Sequence, residues 1–298
     1  MLAETPSRPK GMMKDTDFIA DEKYDGHRAL WQGPNLWSRY GQQRIDDIPE
    51  LAGIYRTGVI LDGEIYLSGG YSSDVSSHAN RPHLDYIAFD ILEIEGIKLL
   101  NAPYEQRRAI LEAFVAEIAH PKLKVSQVSE DPQELLDIVS AKGGEGIILK
   151  HKKSPYVPGK RSKYWMKIKQ YGVCKVVITS ANAPPTKWTV TPGNYGTDGV
   201  YYPEGKPSST TEAGHIGLKY GFLVNKELVE IGQLGVTGPR HVMEKLVGQI
   251  AEVKYYGINT ETLALRHPNF LRYVKATVLQ CTPPTEMVRP LKKYQPQY

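Results

Sequence analysis

Apolar and polar positions follow a helical period in two segments of the first half of the chain. The first segment spans 104–119 and begins just after Pro103, a residue that suits a helix start. Its apolar face consists of Ile110, Leu111, Phe114, Val115 and Ile118. The second begins at Asp131-Pro132, ends at Gly143 and carries Leu135, Leu136, Ile138 and Val139. With the short strand-like segments around them, these helices predict an α+β domain with antiparallel sheets.

After Gly172 the pattern changes to short strands. Five segments alternate as strands do, namely 173–180, 215–224, 227–234, 249–256 and 270–279, and 239–247 is predicted as one short helix. Five strands and one helix match the composition of a small all-β OB fold. The stretch 182–214 is rich in Pro, Gly, Ser and Thr and predicts a long surface loop. We therefore expect two domains, covering 1–171 and 172–298.

The composition changes this picture little. A length of 298 residues suits two domains, and 41% hydrophobic with 23% charged residues is typical of a globular protein. No apolar run reaches the length of a membrane span, and 1–14 is too polar for a signal peptide, so a cytoplasmic location is expected. Cys174 and Cys281 are too few for a disulfide framework.

The distribution of charge is more informative than the net charge of +4, which permits an anionic partner without requiring one. Eight Lys or Arg and no Asp or Glu lie in 150–169, interleaved with Tyr156, Tyr164 and Trp165. A solvated basic loop is one interpretation. A phosphate-facing surface is favoured because the run ends in a strand that carries Lys167 and Lys169.

The clearest candidate for chemistry is Lys23-Tyr24-Asp25-Gly26-His27-Arg28. A lysine beside an Asp-Gly turn can present an amine nucleophile to a nucleotide phosphate, whereas the alternative is an ordinary surface turn. An amine attacks phosphorus only when it is unprotonated, and nearby cations favour that form. Lys167 and Lys169 share a strand face with Trp165 and could provide those cations and neutralise an α-phosphate.

Two further segments are ambiguous by themselves. Asp62 and Glu64 share a strand face and could hold a ribose hydroxyl or a metal ion, or could form an outward polar face. Phe89 lies in a run that is apolar on both faces, which favours core packing.

Five segments, taken in order, resemble the motifs of the covalent nucleotidyltransferase superfamily, and specifically ATP-dependent DNA ligases. The resemblance covers nearly the whole chain and is strongest over 21–169. The segments are the hexapeptide from Lys23, Leu61-Asp62-Gly63-Glu64-Ile65, 86–92, Glu145-Gly146-Ile147-Ile148-Leu149-Lys150, and Trp165-Met166-Lys167-Ile168-Lys169.

This resemblance implies an adenylation domain followed by an OB-fold DNA-binding domain, in a minimal two-domain form without an additional N-terminal DNA-binding domain. Lys23 would attack ATP to form a lysyl-AMP, and AMP would then pass to the 5′-phosphate of nicked duplex DNA. Magnesium is the implied metal, and a monomer with no membrane partner is expected.

The resemblance also implies roles for particular side chains. Asp21 stands where DNA ligases often carry the Glu that reads the adenine amino group, and Phe89 would stack on adenine. The remaining nucleotide contacts would be Arg28, Glu64, Lys150 at the α-phosphate, Lys167 and Lys169, with Arg39 on the nick 5′-phosphate and Glu64 and Glu145 on the metal. Glu145 and Lys150 have an odd separation, so the strand must twist or one of them must lie at its end.

Two basic segments complete the resemblance. Arg107-Arg108 resembles the segment that separates DNA ligases from capping enzymes, and we expect both arginines to be structural or ion-paired. The stretch 265–272 resembles the start of the last ligase motif, but Val274-Lys275-Ala276-Thr277 replaces its usual ending. Three residues remain candidates for orienting pyrophosphate: Arg266, Arg272 and Lys275.

Two other functional classes stay open on these residues. An RNA ligase or an mRNA-capping guanylyltransferase shares the lysyl-nucleotide chemistry, although Tyr24 and Arg107-Arg108 weigh against both. A nucleic-acid-binding protein that has lost catalysis is the third possibility. The presence of Lys23, Glu64, Glu145, Lys167 and Lys169 weighs against it.

Overall fold

The computed structural model describes residues 1–6, 9–181, 194–195, 201–202, 213–239, 245–259 and 262–284. The chain divides after Gln170 into two compact units. The regular elements of the first unit in chain order are β1 (Leu2–Glu4), α1 (Pro9–Met12), β2 (Phe18–Lys23), β3 (His27–Gln32), β4 (Asn35–Ser38), β5 (Ile60–Leu67), α2 (Ser72–Val75), β6 (Leu84–Ile94), β7 (Ile97–Lys98), α3 (Tyr104–Ile118), β8 (Leu123–Val125), β9 (Val128–Ser129), α4 (Pro132–Ala141), β10 (Gly146–His151) and β11 (Arg161–Lys169).

These strands form two sheets. The first has the order β1-β11-β10-β2-β9, and the second has the order β4-β3-β5-β6-β7 with β8 paired to β6. Pairing is antiparallel except between β1 and β11 and between β6 and β8. The predicted α+β domain with antiparallel sheets is confirmed.

Apolar alternation explains how the first unit packs. One face of the first sheet packs on α4, with Phe18, Ala20 and Leu149 meeting Leu135 and Val139. The second sheet packs on α3 in a larger core. Between the two sheets lies a third cluster, to which both contribute: Leu30, Ile60, Phe89, Leu92, Ile148, Tyr156 and Trp165. The candidate site lies beside this cluster.

Both predicted helices are confirmed. In α3, Leu111, Phe114 and Val115 are buried, as the helical spacing predicts. In α4, the Asp131 carboxylate accepts hydrogen bonds from the backbone N–H groups of the first turn at 2.9 and 3.0 Å, which offsets donors that a helix start leaves unpaired. Gly143 follows with φ of 69°, a value that suits glycine at a helix end.

The second unit contains a closed barrel of five strands. The order is β12-β15-β16-β18-β17, and a short pair, β13 with β14, lies outside it. In chain order these are β12 (Gly172–Ala181), β13 (Asn194–Tyr195), β14 (Tyr201–Tyr202), β15 (Ala213–Val224), β16 (Glu227–Pro239), β17 (Ile250–Tyr255) and β18 (Asn269–Tyr273). The barrel interior is apolar, with Val176, Tyr220, Phe222 and Val253 all buried. A five-stranded barrel is what the OB prediction requires.

The last predicted strand is wrong in length. It was expected over 270–279, but β18 ends at Tyr273 and a short 3-10 helix covers Val278–Gln280. The chain leaves the barrel edge because Val274 and Ala276 pack on the outer cluster of Val177, Ile250 and Cys281. The predicted helix 239–247 and loop 182–214 fall largely outside the described residues.

No helix within the described ranges is both long enough and apolar enough to cross a bilayer.

Candidate nucleotide site

The turn after β2 holds Lys23 against the second sheet. Gly26 is required there because a Cβ at this position would lie 2.1 Å from the carbonyl oxygen of Ile65. Its backbone N–H also donates to Glu64 Oε1 at 3.2 Å. The Asp-Gly turn therefore places Lys23, the last residue of β2, beside the carboxylate of β5.

Three charged side chains converge at the end of the first sheet. Lys23 Nζ donates a short hydrogen bond to Glu145 Oε2, and Lys169 Nζ lies 2.6 Å from Glu145 Oε1. Glu145 comes immediately before β10 and is followed by Gly146 at φ of 141°, where a Cβ would lie 2.1 Å from the Ile168 carbonyl oxygen. Because Glu145 lies at the strand end, alternation along β10 does not fix its direction, which resolves its odd separation from Lys150.

Lys167 extends this positive region. It lies opposite Ile148 in the pairing of β10 with β11, and Lys169 lies opposite Gly146. Partial burial lowers the pKa of Lys167, and the neighbouring cations Arg161, Lys169 and Lys23 lower it further. An ammonium group with cations on several sides is suited to an anionic ligand that would relieve the repulsion.

The two carboxylates of β5 have different environments. Asp62 is fully buried and receives Arg28 through Nε at 2.9 Å and Nη2 at 2.6 Å, with the Tyr156 hydroxyl donating at 2.7 Å. Glu64 is half-buried, and burial raises its pKa to about 8 although Lys23 and Arg28 act in the opposite direction. Asp62 is therefore committed to the protein, whereas Glu64 remains suited to a ligand.

A metal ion would find few protein ligands at this site. Within the described ranges, no group of three or more His, Cys, Asp or Glu side chains could hold a metal ion. Glu64 and Glu145 are close enough that the charge of Glu145 raises the pKa of Glu64. Two nearby carboxylates fit magnesium, which keeps several waters and takes phosphate oxygens as further ligands.

The two arginines predicted to hold phosphates differ in their surroundings, since Arg28 lies opposite Glu64 in the pairing of β3 with β5 and Arg39 is exposed. Arg28 and Arg39 line one cavity of about 510 Å³. Arg28 also donates to the Met1 carbonyl oxygen at 2.6 Å and to the Tyr156 hydroxyl at 3.0 Å, so most of its donors are used within the protein. Arg39 is exposed and stacks 5.9 Å from the Tyr40 ring, a position open to a second substrate.

Lys150 and Asp21 lie further along the same face of the first sheet, and Phe89 of β6, in the second sheet, lies beside Lys150. Lys150 Nζ lies 2.7 Å from Asp21 Oδ2 and donates to the Phe89 carbonyl oxygen at 2.8 Å. Lys150 is opposite Ile19, whereas Gly146 is opposite Lys23. Four residues of strand separate these rows by about 13 Å at ~3.3 Å per residue. The Lys150 ammonium thus contacts Asp21, in the row between, and the Phe89 backbone rather than Glu145.

The sequence did not reveal the polar groups that support these residues. Arg107 and Asp90 are both fully buried and form an ion pair at 2.7 Å, which confirms the structural role predicted for Arg107. Arg108 donates to the Ser126 side chain and backbone and to Glu112, so it is also ion-paired as predicted. Tyr104 and Tyr156 were not predicted as site residues. An available signal was Asp90, an acid inside an apolar run, which indicates a buried partner.

The three pyrophosphate candidates belong to the second unit. Arg272 is exposed and pairs with Glu252 at 2.7 Å. Lys275 lines an open surface cavity with Gln249 and Thr277, and the Arg266 backbone pairs with Tyr256 and Gly257.

Comparison with known proteins places residues 1–169 in a family described as the ATP dependent DNA ligase domain. The "Multifunctional non-homologous end joining protein LigD" of Mycolicibacterium smegmatis is 32% identical over 60% of this chain and 24% of its own length. The "DNA ligase" of Methanocorpusculum labreanum is 25% identical over 91% of this chain and 54% of its own length. This chain thus spans about a quarter to a half of those two relatives.

Solved structures agree on the fold. One from "DNA binding with a minimal scaffold: Structure-function analysis of Lig E DNA ligases" has a TM-score of 0.62 at 20% identity, covering 92% of this chain and 98% of that one. Another, "Pmar-Lig_PreS3", has a TM-score of 0.65 at 17% identity, covering 91% of this chain and 66% of that one. The predicted order of an α+β unit followed by an OB-type barrel is confirmed.

Proposed function

This chain is a member of the ATP-dependent DNA ligase family, and on that premise we propose that it seals nicks in duplex DNA through a lysyl-AMP intermediate. The first unit would be the adenylation domain and the second an OB-fold DNA-binding domain. The observation that carries the proposal is the convergence of Lys23 and Lys169 on Glu145 beside Glu64.

In the first step, the Lys23 amine attacks the α-phosphorus of ATP. The ammonium must first lose a proton, and Glu145 is in hydrogen-bond contact to accept it. The Nζ–P bond forms as the bond to the bridging oxygen breaks, pyrophosphate leaves, and a second proton passes from nitrogen to solvent. Lys167 and Lys169 neutralise the charge that grows on the α-phosphate, which is where fixed cations lower a barrier most.

In the following steps, the 5′-phosphate at the nick attacks the lysyl-AMP and releases Lys23. The 3′-hydroxyl then attacks the activated phosphate and loses its proton to solvent, so the phosphodiester forms and AMP leaves. Arg39 is proposed as the contact for the 5′-phosphate because its exposed guanidinium suits phosphate oxygens.

The remaining assignments complete this proposal. Asp21 and Phe89 bind the adenine, Glu64 and Arg28 support the ribose side, and Arg266, Arg272 or Lys275 orients the pyrophosphate. Glu64 and Glu145 would hold magnesium, which when bound neutralises phosphate charge. Nicked duplex DNA as partner, a monomeric state and a cytoplasmic location belong to the same proposal.

A labelling experiment tests the proposal directly. The chain is incubated with ATP, GTP or NAD, each carrying a label in the transferred nucleotide, and the denatured chain is examined for retained label. ATP alone should label it, and the labelled chain should then seal a nicked duplex. Labelling by GTP would instead indicate a capping-type enzyme, and no labelling by any nucleotide would contradict the proposed function.

A further inference from the structure

One buried cation in the first unit has surroundings unlike those of a phosphate ligand. Lys150 is 2% exposed. Its Nζ lies 4.5 Å from the ring centre of Trp165, 4.8 Å from that of Tyr104 and 4.9 Å from that of Phe89. A cation enclosed by three rings and bonded to Asp21 and a carbonyl oxygen already has its interactions satisfied within the protein.

The strand register places this residue away from the end of the sheet that carries Lys23, Glu145 and Lys169, here called the reacting end because the reaction is proposed there. Lys169 lies opposite Gly146, and Gly146 lies opposite Lys23, so these residues form one row across three strands. The backbone of Lys150 lies four residues further along β10, about 13 Å at ~3.3 Å per residue, and Asp21 lies in the row between, opposite Ile148. Its Nζ is directed to Asp21 rather than to Glu145. The α-phosphate contact expected of Lys150 does not fit this position.

The partner of Lys150 has one oxygen to spare. Asp21 is 1% exposed, and its Oδ2 is 2.7 Å from Lys150 Nζ and accepts from the Tyr104 hydroxyl at 3.1 Å. Its Oδ1 is buried and has no hydrogen-bond partner within the described part of the chain. An unpaired buried acceptor is costly, so Oδ1 is suited to a donor supplied by a ligand.

We propose that Lys150 is a positioning residue for base selection. With Tyr104, it fixes Oδ2 of Asp21 so that Oδ1 accepts a hydrogen bond from the 6-amino group of adenine, and it does not contact the α-phosphate. A carboxylate held this way opposes guanine, whose 6-position carries an acceptor oxygen. This inference rests on the proposed reaction with ATP and assigns Lys150 a different part in it.

The test compares ATP with purine riboside triphosphate, which lacks the 6-amino group. Lysyl-nucleotide formation by the full chain is measured by mass spectrometry over a range of nucleotide concentrations. The wild type should prefer ATP by about 10- to 100-fold in kcat/KM, the value of one hydrogen bond to a charged group. Lys150→Met should bring this preference to within about threefold of unity, chiefly by raising KM for ATP.

Lys169→Ala is the matched control because it removes a lysine of the same sheet face at the phosphate end. It should slow both nucleotides by the same factor and leave the preference intact. Equal slowing of both nucleotides by Lys150→Met, through kcat, would make Lys150 a phosphate contact and overturn the inference.

Lys150→Met leaves the Asp21 carboxylate buried without its cation, which can prevent folding. The double variant Asp21→Leu, Lys150→Met removes both charges and the acceptor oxygen of residue 21, and it is measured in parallel. It should fold and show no preference for ATP; a preserved preference would overturn the inference. If the wild type forms no lysyl-nucleotide with either compound, the proposed function fails. That result is distinct from equal slowing of both nucleotides in a variant, which overturns only the inference about Lys150.

Discussion

Two ends of one sheet face carry lysine–carboxylate pairs of nearly equal length but opposite exposure. At the reacting end, Lys169 lies 2.6 Å from Glu145, and their side chains are 31% and 11% exposed. At the base end, Lys150 lies 2.7 Å from Asp21, and their side chains are 2% and 1% exposed. Solvent therefore reaches the first pair, whereas aromatic rings surround the Lys150 ammonium and Oδ1 of Asp21 is left without a hydrogen-bond partner in the described part of the chain.

The difference in exposure indicates what each pair can do. A half-exposed ion pair contributes little to stability, because solvent screens it, and it can exchange one partner for a phosphate at small cost. Separating a buried pair leaves an uncompensated charge and costs several kcal/mol, on the order of 3–5 kcal/mol. The two partners therefore stay together in one geometry. The reacting end is thus suited to binding charges that change during a reaction, and the base end is suited to holding one fixed shape.

The largest expected effect is at the reacting end. Lys23→Ala should remove all covalent AMP, because alanine has no amine to form the bond to the α-phosphorus. The mass of the denatured chain is measured by mass spectrometry after incubation with ATP, and circular dichroism of the variant before denaturation checks that it was folded. Lys14→Ala, a change at an exposed lysine outside the site, should leave labelling unchanged. Retained AMP on a folded Lys23→Ala chain would contradict the assignment of the nucleophile.

A smaller effect separates a catalytic cation from one that only binds DNA. Lys169→Ala should slow lysyl-AMP formation about 10²-fold without DNA, since it removes one strong electrostatic contact in the transition state. Single-turnover rates with ATP alone provide the measurement. A normal rate together with weaker binding to nicked duplex would place Lys169 on the DNA surface instead.

The effect of burial on the strength of an ion pair can be tested with two other pairs of the first unit. Arg107 and Asp90 are both 0% exposed, whereas the Arg56–Glu117 pair is 57% and 69% exposed. Arg107→Met should lower the free energy of unfolding of the first unit by about 3–5 kcal/mol, and Arg56→Met by only about 0–1 kcal/mol. Urea unfolding of both variants gives the comparison. Equal losses would mean that burial does not distinguish the two pairs.

The sequence predicted the side-chain arrangement around Lys169 better than that around Lys150. Strand alternation correctly grouped Lys167, Lys169 and Trp165 on one face, and the Asp-Gly turn made Lys23 the candidate nucleophile, because both patterns are local. Lys150 belongs to the same basic run as Lys167 and Lys169, so composition gave no reason to treat it differently. Its burial depends on α3 and β6 packing over the sheet, and such long-range contacts leave no local pattern.

The fold shows the same division. Helices α3 and α4 follow from apolar spacing and capping residues, and both lie where the sequence predicts them. The end of β18 depends on Val274 and Ala276 leaving the barrel edge to pack on Cys281 and Ile250. Alternation continued past Tyr273 in the sequence, but tertiary packing determined where the strand stops.

The smallest expected effect concerns Glu64, a partly buried carboxyl group near the exposed pair of Lys169 with Glu145. Burial raises its pKa to about 8 in the folded chain, whereas an unfolded glutamate titrates near ~4.3. Between those values the folded state holds a proton that the unfolded state has released. Stability is therefore fully present below the unfolded pKa and is lost as pH rises through the folded pKa.

Thermal unfolding from pH 6 to pH 9, without nucleotide or magnesium, should show this loss. The wild type should lose roughly 2–4 °C more in Tm than Glu64→Gln, which corresponds to about 1 kcal/mol for a chain of this size. The glutamine variant keeps the shape and cannot titrate, so histidines and other groups cancel in the difference. Parallel Tm curves would mean that burial does not raise the pKa of Glu64. The exposed end of the sheet face would then contain no buried carboxyl group, and its difference from the buried pair of Lys150 with Asp21 would be sharper.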